Sequence, residues 1–154
     1  MPFLVKMHGH RPVPEDAPNG TKFCPARGYL AVLLLAKGQY TEGFSEWQQE
    51  VSIFHNAEQT KAVVDAFRKS GYREAMEVNI RALVERSKRE YVSPYYIAIW
   101  YALISENDNT FKWLNKAYEV HDDNVPLLRV EPGLRSIRSD PRCADLLRRM
   151  GLPQ

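Results

Sequence analysis

Acid–base or metal chemistry needs several polar side chains gathered at one place, and few residues of this sequence come near to that. His121-Asp122-Asp123 has the right types, alone or together with His55 or the His8-Gly9-His10 pair, for metal binding or general acid–base work. His8 and His10 share a metal only if further ligands join them, and no nearby cysteine or carboxylate pair supplies those. Surface histidines are the simpler reading of that pair, and an acidic loop after a helix is the simpler reading of His121 to Asp123. Ser139-Asp140-Pro141 could be a phosphorylation site, but helix capping accounts for each of its residues. The sequence contains no phosphate-cradling glycine loop, no Gly-x-Ser-x-Gly turn and no His-Glu-x-x-His pair. The expectation is a chain that is not an enzyme, with no catalytic residues, no metal and no cofactor. A small metal-dependent hydrolase using His121, Asp122 and His8 or His10 is the remote alternative.

The totals narrow the classes further. The 154 residues make one ordinary domain with room for a core, and 44% hydrophobic with 26% charged residues is the balance of a soluble globular protein. A formal net charge of +2 is too small to imply nucleic acid or an anionic membrane. The segment Lys61 to Glu90 carries eight Lys or Arg against five acids, but interspersed in a way that suits a solvated helix face. Cys24 and Cys143 lie far apart without a Cys-x-x-Cys pair, so free thiols in a reducing cytoplasm are expected. The longest apolar run, Tyr29 to Ala36, is far short of a membrane span, and Met1 to Lys6 lacks the apolar core of a signal peptide. A cytoplasmic location is expected.

Helices must position whatever the chain uses. Residues 1–22 hold four prolines and two glycines, which predicts an extended lead-in, with Phe3-Leu4-Val5 as a short strand or an apolar plug. A helix is predicted from Arg27 to Lys37, a turn at Gly38, and a second helix capped by Thr41 with Phe44, Trp47, Val51 and Phe54 along one stripe. The next pair starts near Glu58, breaks at Ser70-Gly71 and runs from Arg73 to Glu90. In the third pair Ser93 is the expected N-cap with Pro94 at the first helical position, and Tyr95 to Ile104 run almost unbroken apolar, which predicts cover on more than one side. Asp108 or Asn109 is expected to cap its second helix, whose stripe is Phe111, Leu114 and Tyr118 widened by Trp113 and Ala117. Leu127, Leu128 and Val130 read as a short piece packing back, followed by another over Pro132 to Ile137. Asp140 and Pro141 start a last helix with Cys143, Leu146, Leu147 and Met150 inward and Gly151 at its end.

The spacing of the pairs is itself a signal. With Tyr91 as the first position of a 34-residue unit, Ile97-Ala98, Tyr101, Thr110, Leu114 and Ala117 fall where a tetratricopeptide repeat places its packing residues. With Asn56 first, Ala62-Val63, Ala66-Phe67, Tyr72, Ala75, Asn79 and Ala82 do so. With Cys24 first, Leu30-Ala31, Leu34, Gly38, Tyr40, Gly43 and Trp47 do so, although Glu50 stands where a small residue is wanted and is expected to splay that pair. The chain therefore resembles a tetratricopeptide protein. Phe111 to Glu119, Leu134 to Arg142 and Asp145 to Pro153 resemble the C-terminal end of such arrays in bacterial signalling and transcriptional regulators, where the array follows a winged-helix, kinase or cyclase domain. The resemblance is strong from Phe67 to Pro153, weaker from Tyr29 to Ala66 and absent before that.

The resemblance implies an all-α fold: a helical-hairpin array, an α-α superhelix of about three repeats over residues 23–154, closed by a C-terminal capping helix. It also implies a groove lined by the first helix of each repeat. Transferring the groove positions gives Thr60, Val64, Phe67 and Arg68 in the second repeat, and Val92, Tyr95, Ile99, Ala102 and Leu103 in the third. An apolar floor beside one arginine suits a largely hydrophobic ligand that carries an acid. Burial of Ile99 and Leu103 under Leu127–Val130 or the lead-in is an equal reading for the third repeat. The function that follows is a protein–protein interaction module holding a partner's peptide or helix, with no direct contact to nucleic acid or membrane. The alternative is the sensory or assembly portion of a bacterial regulator. Apolar Leu30, Leu33 and Leu35 on the first helix also allow a homodimer.

Overall fold

The computed structural model describes residues 25–54 and 57–151, all-α in class, with no strand among them. The expectations for residues 1–22, Cys24 and His55, and for the side chain of Phe54, fall outside the described set. The chain forms two compact units, Met1–Val92 and Ser93–Gln154, a division that falls inside the stretch read from sequence as one repeat domain. No described helix is long and apolar enough to cross a membrane.

In the first unit α1 (Pro25–Ala36) pairs with α2 (Tyr40–Phe54), and α3 (Ala57–Ser70) with α4 (Tyr72–Arg86), while α2 also touches α3 and α4. Each hairpin turns on a glycine in the left-handed region, Gly38 (φ 78°) and Gly71 (φ 82°), where a side chain would be strained. Thr41 lies inside the first turn of α2 and not at its cap, because Gly43 N–H already bonds back to Gln39 O (2.9 Å). α4 stops at Arg86, short of Glu90, where the Ser87 hydroxyl donates to Val84 O (2.7 Å). Beyond that point Lys88 and Arg89 pair back to Glu85, and Glu90 to Arg86, in the last turn of α4.

The first hairpin closes through two missing side chains. A Cβ on Gly43 would lie 2.8 Å from Leu35 Cγ and 3.0 Å from Leu35 N, so α2 approaches the α1 backbone more closely than any larger residue allows. A Cβ on Gly28 would lie 2.1 Å from Glu50 Oε2. The expected splaying at Glu50 therefore does not occur. The small residue that the packing requires is Gly28 on the opposite helix, and the carboxyl of Glu50 occupies the space above it.

The second unit comprises α5 (Pro94–Leu103), α6 (Asn107–Glu119), two 3-10 helices (Val125–Arg129 and Pro132–Ile137) and α7 (Pro141–Arg149). α5 is covered on more than one side, as its apolar run predicts: α6 packs along one side and the Pro132–Ile137 turn along another, with Leu134 and Ile137 fully buried. Leu128 is buried but Val130 is exposed, so only part of the predicted Leu127–Val130 piece packs inward. α6 begins at Asn107, with Glu106 in the cap position and no side-chain cap bond, two or three residues before the expected caps. α7 starts as predicted, Asp140 Oδ1 accepting from Arg142 N–H (2.9 Å) and Pro141 in the first turn, and ends at Gly151 (φ 68°). It is fixed to α6 by Arg142, whose guanidinium lies 4.3 Å from the Phe111 ring centre and bonds Asp108 (2.7 Å), and by Tyr118, whose hydroxyl donates to Arg149 O (3.1 Å).

Ser93 occupies the cap position of α5 but its side chain does not cap. Its hydroxyl donates to Asp122 Oδ2 (2.5 Å), and that same oxygen receives the Tyr95 N–H at 3.5 Å. Asp122 Oδ1 accepts from both the backbone N–H (3.0 Å) and the side-chain amide (2.8 Å) of Asn124. One buried carboxylate thus joins the start of α5 to the loop after α6.

Two stability predictions follow. Gly43→Ala should destabilise the first unit by roughly 1–3 kcal/mol in urea unfolding, although alanine is the better helix former by about 1 kcal/mol, because the overlap with Leu35 outweighs propensity. Asp122→Ala should cost roughly 2–4 kcal/mol by leaving its buried donors unpaired, and should speed hydrogen exchange at Tyr95 and Asn124.

Candidate functional site

The face of the first unit that carries the sequence-predicted residues is built by aromatic side chains. On α2, Tyr40, Phe44, Trp47 and Val51 recur at helical spacing, so one stripe faces the second hairpin. Phe44 stacks on Phe67 of α3 (ring centres 4.0 Å apart, planes at 5°) and leans on Trp47 (5.3 Å). Tyr40 stacks on Tyr72 at the start of α4 (4.4 Å, 16°). Along α3 the predicted residues Thr60, Val64, Phe67 and Arg68 share one side and grade outward. Val64 is buried, Thr60 and Phe67 are half-buried, and Arg68, in the last turn, is exposed. The Thr60 hydroxyl and the Gln59 side-chain nitrogen are shielded from solvent with no hydrogen-bond partner among the described residues.

Tyr95 and Ile99 stand differently. They are 0% and 1% exposed, and belong to the core of the second unit. Neither offers surface to a partner, so the third-repeat half of the predicted groove is filled from within the chain. The filling is by the Pro132–Ile137 turn, which packs on α5; the sequence reading had named Leu127–Val130 or the lead-in. Ala102 is buried likewise, while Leu103 is half-buried. The Tyr95 hydroxyl has no hydrogen-bond partner among the described residues, and burial together with the nearby Glu131 carboxylate pushes its ionisation far above the usual phenol range. Burial also raises Glu131, opposed by the N–H of Gly133, which donates to Glu131 Oε1 (3.2 Å), and by the Arg138 charge.

The candidate chemistry does not assemble among the described residues. Asp122 accepts from two donors at the start of α5 and two on Asn124, whereas His121 and Asp123 are exposed. His121 adopts a left-handed conformation (φ 53°) where α6 ends, with Asp122 N–H bonded back to Ala117 O (2.9 Å), so its backbone does what glycine does at other helix ends. No group of three or more His, Cys, Asp or Glu suited to a metal occurs among the described residues, and His8, His10 and His55 lie outside them.

Sequence reasoning passed over Tyr40, Tyr72, Lys37 and Lys69 as site residues. Each tyrosine follows a turn glycine in its own hairpin, and that equivalence was the available signal. Their stacking across hairpins was not legible. Compared with protein-family models, curated proteins and solved structures, the sequence and fold match none.

One buried acid distinguishes the first unit electrostatically. Glu50 is 5% exposed, and its desolvation raises its pKa from 4.5 to about 7. The folded state then holds a proton that the unfolded state releases between those values, so stability falls as pH rises from about 4.5 to 7. In Glu50→Gln this slope should disappear. Across that window the wild type should lose roughly 3 kcal/mol at most relative to the variant, read from urea midpoints at stepped pH.

Proposed function

We propose that this chain is a protein–protein interaction module without catalytic activity of its own. It is a short array of tetratricopeptide-like hairpins that takes a partner's peptide or helix along α3. The observation that carries the reading is the outward grading of that helix. Phe67 is fixed by its stack on Phe44 yet keeps part of its ring at the surface, and Arg68 stands exposed beside it. A rigid aromatic next to an arginine is the pairing from which binding energy is typically drawn at protein interfaces. The consecutive helical hairpins support the repeat assignment, as do unit starts at Cys24, Asn56 and Tyr91, which lie 32 and 35 residues apart, close to the repeat length of about 34. Tyr95 and Ile99 are left out of the proposed surface because they are core.

A second reading, self-association, is favoured by one feature. Leu30 is 42% exposed and Tyr29 stands exposed beside it on α1, although of the two leucines expected to join Leu30, Leu33 is half-buried and Leu35 is buried.

Wild-type chain and the Phe67→Ala/Arg68→Ala variant, used as paired baits in lysate and read by mass spectrometry, should differ by at least one partner that only the wild type retains. Equal recovery by both baits would remove the α3 site. No partner with either bait would move the weight to self-association.

A further inference from the structure

The described cations of the first unit fall into two groups. Lys61 pairs with Asp65 (2.5 Å), Arg73 with Glu77 (3.1 Å), Arg81 with Glu74 (3.3 Å) and Arg86 with Glu90 (3.0 Å), while Lys88 and Arg89 both reach Glu85. Lys37, Arg68 and Lys69 make no ion pair among the described residues, and all three are exposed. They share one end of the unit. Lys37 directly follows α1, Arg68 and Lys69 lie in the last turn of α3, and the Tyr40–Tyr72 stack holds together the starts of the two helices that follow. Tyr40 itself is 46% exposed. Of the acids at this end, Glu74 in the first turn of α4 is taken by Arg81, and Glu42 in the first turn of α2 is a single charge against three. Asp65, one turn before Arg68, is already bonded to Lys61.

Helix dipoles favour cations where α1 and α3 end, which accounts for part of this placement. They do not account for a tyrosine ring left at the surface among those cations, or for acids paired directly with each of the other described cations of the unit and with none of these three, although the Arg68 charge is felt at Asp65. We propose that the turn end of the first unit receives an acidic peptide segment of a protein partner. Its carboxylates face Lys37, Arg68 and Lys69, and an apolar or aromatic side chain lies against Tyr40. The proposal rests on the peptide-binding reading of α3 and adds the charge of the ligand and the end at which its acids sit. A nucleic-acid strand fits less well. It wants a row of open rings, whereas Tyr72 is half-buried beneath Tyr40, and the net charge of the chain is only +2.

The test selects binders to the full chain from a random displayed peptide library, then measures the selected peptides by fluorescence anisotropy. The targets are wild type, Lys37→Glu/Lys69→Glu and Phe67→Ala. The double variant changes only exposed side chains, neither of them Thr60, Val64, Phe67 or Arg68, and its melting should stay a single cooperative transition, shifted only slightly by the reversed charge at two helix ends. Expected are peptides rich in Asp and Glu beside an aromatic or leucine. The double variant should bind them about tenfold more weakly at low salt, with the gap narrowing as salt rises. Selected peptides without acidic bias, or held equally by the double variant while lost by Phe67→Ala, would overturn this inference and leave the α3 reading standing. A single-stranded oligonucleotide bound more tightly than any selected peptide would also overturn it. Failure to enrich any peptide on any target would remove the peptide-binding reading, and this inference with it.

Discussion

The stack of Phe44 on Phe67 is the contact on which the first unit depends. Each hairpin of that unit can form locally, since its helices are joined by short glycine turns, but a hairpin buries only one face of each helix. α2 is the element that touches both hairpins, and its aromatic stripe supplies the material that joins them. Two flat rings at van der Waals distance fix the rotation of α3 about its own axis. That rotation buries Val63 and Val64, leaves Phe67 half in and half out, and turns Arg68 to solvent. The proposed surface is thus a by-product of how the unit is held together. A binding residue whose ring is already packed loses little side-chain entropy when a partner arrives.

Helix existence was legible in this sequence because it rests on local rules. Gly38 and Gly71 at the turns, Pro94 and Pro141 in first turns, Asp140 as a cap and the stripe of α7 all act within a few residues, and each is found where it was expected. Side-chain roles that act across the chain were not legible. Serine before proline and an apolar run usually caps, yet the oxygen that accepts the Tyr95 N–H belongs to Asp122, 29 residues after Ser93. Glu50 looked like a packing error because its partner Gly28 belongs to the opposite helix. The caps expected at Thr41 and at Asp108 or Asn109 lie two or three residues past the observed cap positions, the scale at which helix starts are decided by individual backbone bonds.

The predicted groove shows the same division more sharply. Thr60, Val64, Phe67 and Arg68 lie on one side of one helix, which periodicity can establish without knowing anything else. Whether a face is open depends on what packs against it. For α5 the answer lies in Pro132–Ile137, a 3-10 turn too short to show a period of its own, whose Leu134 and Ile137 take the space where a ligand would have lain. The almost unbroken apolar run of α5 already held the hint, since a helix that is apolar on every side has no side to spare for a groove.

A related logic separates the carboxylates that look chemical from those that are free to act. A carboxylate serving as a base or a metal ligand must keep an oxygen available. Asp122 and Asp140 spend theirs on the starts of helices, Glu131 accepts from Gly133 at the start of its own turn, and Glu50 is pressed against backbone in a place that favours its neutral form. Each of these acids does a helix's or a turn's work. In the first unit the described cations left without an ion pair to a described residue are Lys37, Arg68 and Lys69, at the end that carries the exposed Tyr40 ring. Beyond the helix-dipole contribution at the ends of α1 and α3, a folded chain gains little from like charges placed at one end, since they repel weakly at any salt concentration below full screening. Their shared position gains a physical rationale once an oppositely charged segment from another molecule is laid across them.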